Sequence, residues 1–196
     1  FFLLLCCSST SVVLSQAGFT KIVNPTNPAT TFLSSGIYKG AAWIDFDNDN
    51  DIDLFASPHR LFRNDGGGSF IEIPAPFGFV PLQNPGGSSW ADLNNDGFID
   101  CIIAQHPSGV FINNGNETFT NISFQIDSFN VFPAWGCAIG NWNNDAYPDF
   151  IFAHAAFFHT VGPFASKLYL NTSNAITPAV ITGYTLTDSV KPYTVP

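Results

Sequence analysis

Three short acidic stretches hold the side chains whose types and spacing could do chemistry. The first is Asp45-Phe46-Asp47-Asn48-Asp49-Asn50-Asp51-Ile52-Asp53, the second Asp92-Leu93-Asn94-Asn95-Asp96-Gly97-Phe98-Ile99-Asp100, the third Asn141-Trp142-Asn143-Asn144-Asp145-Ala146-Tyr147-Pro148-Asp149. They start 47 and 49 residues apart, and side-chain oxygens recur at positions 1, 3, 5 and 9. A hard cation such as Ca²⁺ takes about six to eight oxygens, and a tight loop turns alternate carboxylates and amides inward to supply them. The candidate ligands are therefore Asp45, Asp47, Asp49 and Asp53; Asp92, Asn94, Asp96 and Asp100; and Asn141, Asn143, Asp145 and Asp149. Position 7 (Asp51, Phe98, Tyr147) adds a backbone carbonyl. Position 6 must bend sharply, which suits Asn50 and Gly97 and predicts strain at Ala146. Formal charge falls from four to three to two along the loops, so affinity is expected to fall in that order, with two Ca²⁺ sites and a weaker third. The metal-free alternative is a set of Asx turns.

The first five positions also fit the start of an EF-hand. That reading requires a bidentate Glu at position 12 and flanking helices. Position 12 is Ala56, Ile103 and Phe152, and the flanks are short apolar runs bounded by Gly and Pro, which read as strands. The EF-hand is excluded.

The elements around the loops repeat as well. Gly40-Ala41-Ala42-Trp43 lines up with Gly87-Ser88-Ser89-Trp90 and Gly136-Cys137-Ala138-Ile139. Downstream, Leu61-Phe62-Arg63-Asn64-Asp65-Gly66 lines up with Val110-Phe111-Ile112-Asn113-Asn114-Gly115 and, more loosely, Leu168-Tyr169-Leu170-Asn171. Loop and flanks together resemble the FG-GAP/VCBS repeat, over roughly residues 40–175, and the Leu-Phe/Tyr-x-Asn-x-Gly signature resembles its ASPIC/UnbV-related subgroup. The resemblance implies an all-β chain of β-propeller-like blades, as in integrin α-subunits, with Ca²⁺-binding loops and an extracellular role.

Repeats of this length carrying several strands indicate a propeller or array. Residues 40–86, 87–135 and 136–183 are repeats 1 to 3, residues 18–39 a lead-in, and residues 184–196 a C-terminal strand or the start of a further unit. Closed propellers take about four to eight blades, so three predict an incomplete or open ring. Residues 154–165 form an aromatic insertion, a candidate contact surface or a buried hairpin. No stretch has helical periodicity.

The net charge is −9, and ten of the fifteen acidic residues lie in the loops. The acidity is therefore local. Three Ca²⁺ ions would cancel about six of those charges. Six scattered Lys and Arg argue against nucleic-acid binding. Residues 1–17 resemble a secretory leader ending in Ser15-Gln16-Ala17, too short and Ser-rich to span a membrane; retained, they would serve as an added strand. Asn116, Asn121 and Asn171 open N-glycosylation motifs. Cys101 and Cys137 sit in strands flanking the second and third loops and are expected to form a disulfide in an oxidising compartment, the alternative being two buried thiols.

No Gly-x-Ser-x-Gly, His-Glu-x-x-His or phosphate loop is present, and His59, His106, His154 and His159 share no ligand spacing. Trp43, Trp90, Trp135 and Trp142 are expected to pack between blades. The expected function is a secreted, non-catalytic, Ca²⁺-stabilised protein that binds an extracellular protein or glycan. The alternatives are a self-assembling glycoprotein subunit whose partners are copies of itself, and a carbohydrate-active or carbohydrate-binding propeller.

Overall fold

A computed structural model describes residues 20–22, 24–31, 40–56, 58–78, 86–126, 134–154, 166–171 and 182–186. The leader-like segment and most of the aromatic insertion lie outside them.

Alternating apolar residues between Gly- and Asn-rich turns yield three four-stranded antiparallel sheets. Blade 1 is β1 (Ala41–Ile44), β2 (Asp53–Ala56), β3 (Arg60–Asn64) and β4 (Phe70–Ile73). Blade 2 is β5 (Ser88–Ala91), β6 (Asp100–Ile103), β7 (Gly109–Asn113) and β8 (Phe119–Asn121). Blade 3 is β9 (Ala134–Gly140), β10 (Asp149–His154), β11 (Ser166–Leu170) and β12 (Thr182–Leu186). Each blade is a meander in chain order, with the acidic loop joining its first two strands. The blades stand side by side as an open propeller-like row with no closed ring among the described residues.

The strand β12 pairs with β11, Ser166 opposite Leu186 through Leu170 opposite Thr182. It completes blade 3, so the repeat boundary expected at 183 falls inside a strand. Two single helical turns, α1 (Pro28–Thr31) and α2 (Ser123–Ile126), also appear. No helix among the described residues is long and apolar enough to cross a membrane.

Strand side chains alternate between faces, so a sheet can pack on both sides, and blade 2 contributes to two joints. The joint between blades 1 and 2 buries Ile44, Phe46, Phe55, Leu61 and Phe77 against Cys101, Ile103, Phe111 and Phe119. The joint between blades 2 and 3 buries Leu93, Ile102, Val110 and Ile112 against Phe150, Phe152 and Tyr169. Aromatic pairs knit both, Phe55 lying 5.2 Å from Trp90 and Phe150 4.8 Å from Tyr169. The first strands of neighbouring blades run close together. A Cβ on Gly86 would come within 2.8 Å of the Trp135 carbonyl, so only glycine fits there.

The same alternation overturns the expected disulfide. Cys101 and Cys137 are free. Cys101 faces blade 1, whereas Cys137 packs into the joint between blades 2 and 3, with its Sγ 3.4 Å from the Gly87 carbonyl. The second sheet separates the side chains. Burial pushes both thiols up, Cys137 to about 11, which keeps them protonated and unreactive.

Tryptophan packing is also narrower than the repeat suggested. Trp90 packs between blades, whereas Trp43, Trp135 and Trp142 are exposed.

Candidate metal-binding loops

Loop 1 begins with Asp45 at the end of β1. The carboxylate of Asp45 accepts the backbone N–H groups of Asp49 and Asn50, and Asp49 accepts that of Asp51. These bonds curl the chain so that Asp45, Asp47 and Asp49 converge, with ligand oxygens within 4.8 Å of one another. The Oδ1 of Asp47 is buried and has no hydrogen-bond partner. Burial and the charge of Asp49 push its carboxyl above the usual range. A buried anionic oxygen with no donor, facing two further carboxylates, is costly unless a cation joins it. The donor set is all oxygen, which suits a hard divalent ion.

Loops 2 and 3 have the same shape with fewer charges. In loop 2, Asp92 accepts from Asp96 and Gly97, and the Asn94 amide donates to Asp96 (2.7 Å). Phe98 donates its N–H to Asp96. In loop 3, the Asn141 amide donates to the backbone carbonyl of Asp145, the Asn143 amide donates to the Asp145 carboxylate (2.6 Å), and Tyr147 donates its N–H to that carboxylate. With Asp145 the one carboxylate among positions 1, 3 and 5, loop 3 has the least need of a cation.

The sharp bend is placed differently from the sequence expectation. Position 4 takes positive φ in all three loops, at Asn48 (62°), Asn95 (57°) and Asn144 (61°). Position 6 does so only at Asn50 and Gly97, so Ala146 is unstrained. Asn tolerates this region well, and the recurrent Asn at position 4 was the available signal.

Position 9 does a second job that sequence reasoning missed. Asp53, Asp100 and Asp149 are fully buried, and none joins a three-residue carboxylate cluster. One oxygen of each accepts the N–H of position 2: Phe46 to Asp53, Leu93 to Asp100, Trp142 to Asp149. The other accepts the N–H of the Asn after the third strand's apolar pair: Asn64, Asn113 and Asn171. The carboxylate clasps the loop to the far side of its own blade. Burial pushes Asp53 up to about 6 and Asp100 to about 7, while the two N–H bonds pull the other way.

The clasping Asn then reaches across the joint. Asn113 Nδ2 donates to the Phe46 carbonyl of blade 1 (2.7 Å), and Asn171 Nδ2 to the Leu93 carbonyl of blade 2 (2.6 Å). Loop touches loop as well: Asn48 donates to the Gly97 carbonyl (2.8 Å) and Asn95 to that of Ala146 (3.4 Å). The buried amide of Asn171 is committed to this bond, so it is not an open glycan acceptor as the motif suggested. Asn116 and Asn121 are exposed.

Three meander blades joined in this way, each with an acidic loop between its first and second strands, define a propeller-type repeat protein. The chain belongs to the FG-GAP-like repeat family, whose model matches residues 45–103 and 92–152, together more than half of its length. That match reaches the repeat and not the ASPIC/UnbV-related subgroup. No curated protein matches the chain.

Proposed function

We propose that this chain is a secreted, Ca²⁺-stabilised repeat protein with a structural or adhesive role, binding an extracellular protein or glycan. The observation that carries the reading is the convergence of Asp45, Asp47 and Asp49 around the buried, unpartnered Oδ1 of Asp47. In loop 1 these three residues would hold the ion, with the position-7 carbonyl of Asp51 beside them. In loop 2 the equivalents are Asp92, Asn94, Asp96 and Phe98. The ion's contribution is charge neutralisation, which lets the loop close and leaves the position-9 carboxylates free for the clasp. This assigns the acidic residues a stabilising task and the protein a non-catalytic one. Extracellular Ca²⁺ modules work at about 10⁻⁴–10⁻³ M, a range in which loops of this charge fill outside a cell. The family's extracellular character and the exposed Asn116 and Asn121 support secretion.

Calorimetric titration of Ca²⁺ into the chelated chain tests the reading. Saturable binding is expected, with Asp47→Asn abolishing the tightest site and Asp96→Asn the next. A titration without saturable heat, or one unchanged by Asp47→Asn, would overturn it.

A further inference from the structure

The position-9 clasps are joined to one another. Asp53 holds the Phe46 N–H at 3.0 Å, and the Phe46 carbonyl accepts the Asn113 side-chain amide at 2.7 Å. The Asn113 backbone N–H is held by Asp100 at 2.8 Å, and the other oxygen of Asp100 holds the Leu93 N–H at 2.8 Å. The Leu93 carbonyl accepts the Asn171 amide, the Asn171 backbone N–H is held by Asp149, and Asp149 also holds the Trp142 N–H. One line of hydrogen bonds therefore runs from loop 1 through loop 2 to loop 3, and every residue on it before Trp142 is buried.

A second line runs over the surface. The Asn48 amide donates to the Gly97 carbonyl at 2.8 Å, and the Gly97 N–H is held at 2.8 Å by Asp92, the first residue of loop 2. Asn95 repeats the contact to the Ala146 carbonyl of loop 3 at 3.4 Å. Neither Asn48 nor Asn113 is a candidate ligand. What each does is tie the backbone of one loop to that of its neighbour.

We propose that these two lines couple the acidic loops, so that filling loop 1 raises the affinity of loop 2. The proposal rests on the reading of both loops as Ca²⁺ sites. Phe46 and Asn48 lie between Asp45, Asp47 and Asp49 in the chain, so both are fixed when those carboxylates close on a cation. Phe46 then holds Asn113 and, through it, the Asp100 clasp, while Asn48 holds the Gly97 carbonyl. Loop 2 has less conformational freedom left to lose, and a site ordered in advance binds more tightly. Neutralising loop 1 acts in the opposite direction by weakening its attraction for a second cation. At about 0.15 M salt that attraction is screened over roughly 8 Å, whereas the hydrogen bonds are not. The coupling is reciprocal, so filling loop 2 strengthens loop 1 by the same factor.

The test follows the Phe98 amide, held by Asp96 at 2.8 Å inside loop 2, by nuclear magnetic resonance. Ca²⁺ is titrated into the chelated full chain at about 0.15 M salt. The half-saturating concentration should be about fivefold or more higher in Asp47→Asn, whose first loop stays empty, than in the parent. With Asn48→Gly and Asn113→Ala both in place, adding Asp47→Asn should move it by under about twofold. Equal values in the parent and Asp47→Asn, or a gap that persists once both lines are cut, would overturn the coupling and leave Ca²⁺ binding standing. A Phe98 amide that Ca²⁺ never moves would end the Ca²⁺ reading of loop 2 and the coupling with it. If Asn113→Ala does not fold, Asn48→Gly decides alone, because Asn48 is exposed and glycine accepts its φ of 62°. That variant must narrow the gap, and an unchanged gap overturns the proposal.

Discussion

Replacing Asn113 by Ala removes the staple between blades 1 and 2 without touching a loop carboxylate. Asn113 is 2% exposed. Its amide donates to the Phe46 carbonyl at 2.7 Å and the Ile99 carbonyl at 3.2 Å, and its oxygen accepts the Gly115 N–H at 3.0 Å. The Phe46 carbonyl lies in the buried joint, where losing its donor costs about 1–3 kcal/mol. The other two bonds sit nearer solvent, where lost bonds cost about 0.5–1 kcal/mol each. The expected loss is about 3 kcal/mol, or roughly 6–12 °C in melting temperature for a chain of this size. Asn64→Ala is the internal comparison. It deletes one exposed bond of 3.1 Å, to Ile52, and should cost under about 1 kcal/mol. Urea unfolding in saturating Ca²⁺ measures both from the midpoint at constant slope. If the two variants cost the same, or Asn113→Ala costs under about 1 kcal/mol, the inter-blade bond is not what holds Asn113 in place and the reasoning fails.

Other expectations follow from single residues. Gly86→Ala must push β5 and β9 apart, because the new Cβ would lie 2.8 Å from the Trp135 carbonyl, and should cost about 1–3 kcal/mol by the same unfolding assay. Native Cys101 should resist a thiol reagent until the chain unfolds, and reductant should leave the stability of the blades unchanged, since Cys101 and Cys137 form no disulfide. His59 packs beside Phe77 and Phe111, and burial pushes it down to about 4. Its unfolded value near 6.5 means the unfolded chain binds the extra proton first, so its contribution is lost as pH falls from about 6.5 to 4, by about 3 kcal/mol in all. Asp53 and Asp100, pushed up by burial, act in the opposite direction over much of that range. The His59 effect is therefore read as the difference in unfolding free energy between the parent and His59→Asn, which accepts the positive φ of 53°. A difference that does not change with pH would contradict it.

Much of this architecture was legible because it repeats. Oxygens at alternate loop positions, with Ala56, Ile103 and Phe152 where an EF-hand needs Glu, excluded helices and left strands. The period placed three meanders in order. What could not be read were relations between repeats. The Asn of the Leu-Phe/Tyr-x-Asn signature was visible as a recurring letter, but its acceptor lies 67 residues away, on the preceding blade, in the Asn113–Phe46 bond. For the same reason Asn171 was read as a glycan site. The cysteine pairing failed on a point that was legible in principle. Cys101 aligns with Phe150, which faces back toward the preceding blade, and Cys137 lies two residues before Ile139, on the same side of blade 3. Each therefore faces the blade before it, and the second sheet stands between them. Trp142 was expected in a joint because it sits at a repeat position, the one at which Phe46 and Leu93 are buried. Trp142 is 69% exposed, with no further blade beside it among the described residues.

Thermal unfolding in Ca²⁺ and in chelator is the most direct test of the claim that the acidic loops are cation sites that hold the blades. At a Ca²⁺ concentration about 100 times the dissociation constant, each filled site adds about 2.7 kcal/mol, so the melting temperature should rise by roughly 5–10 °C per site. Asp47→Asn should remove the largest part of that rise. Superimposable curves with and without Ca²⁺ would contradict the account, leaving the convergence of Asp45, Asp47 and Asp49 without a role.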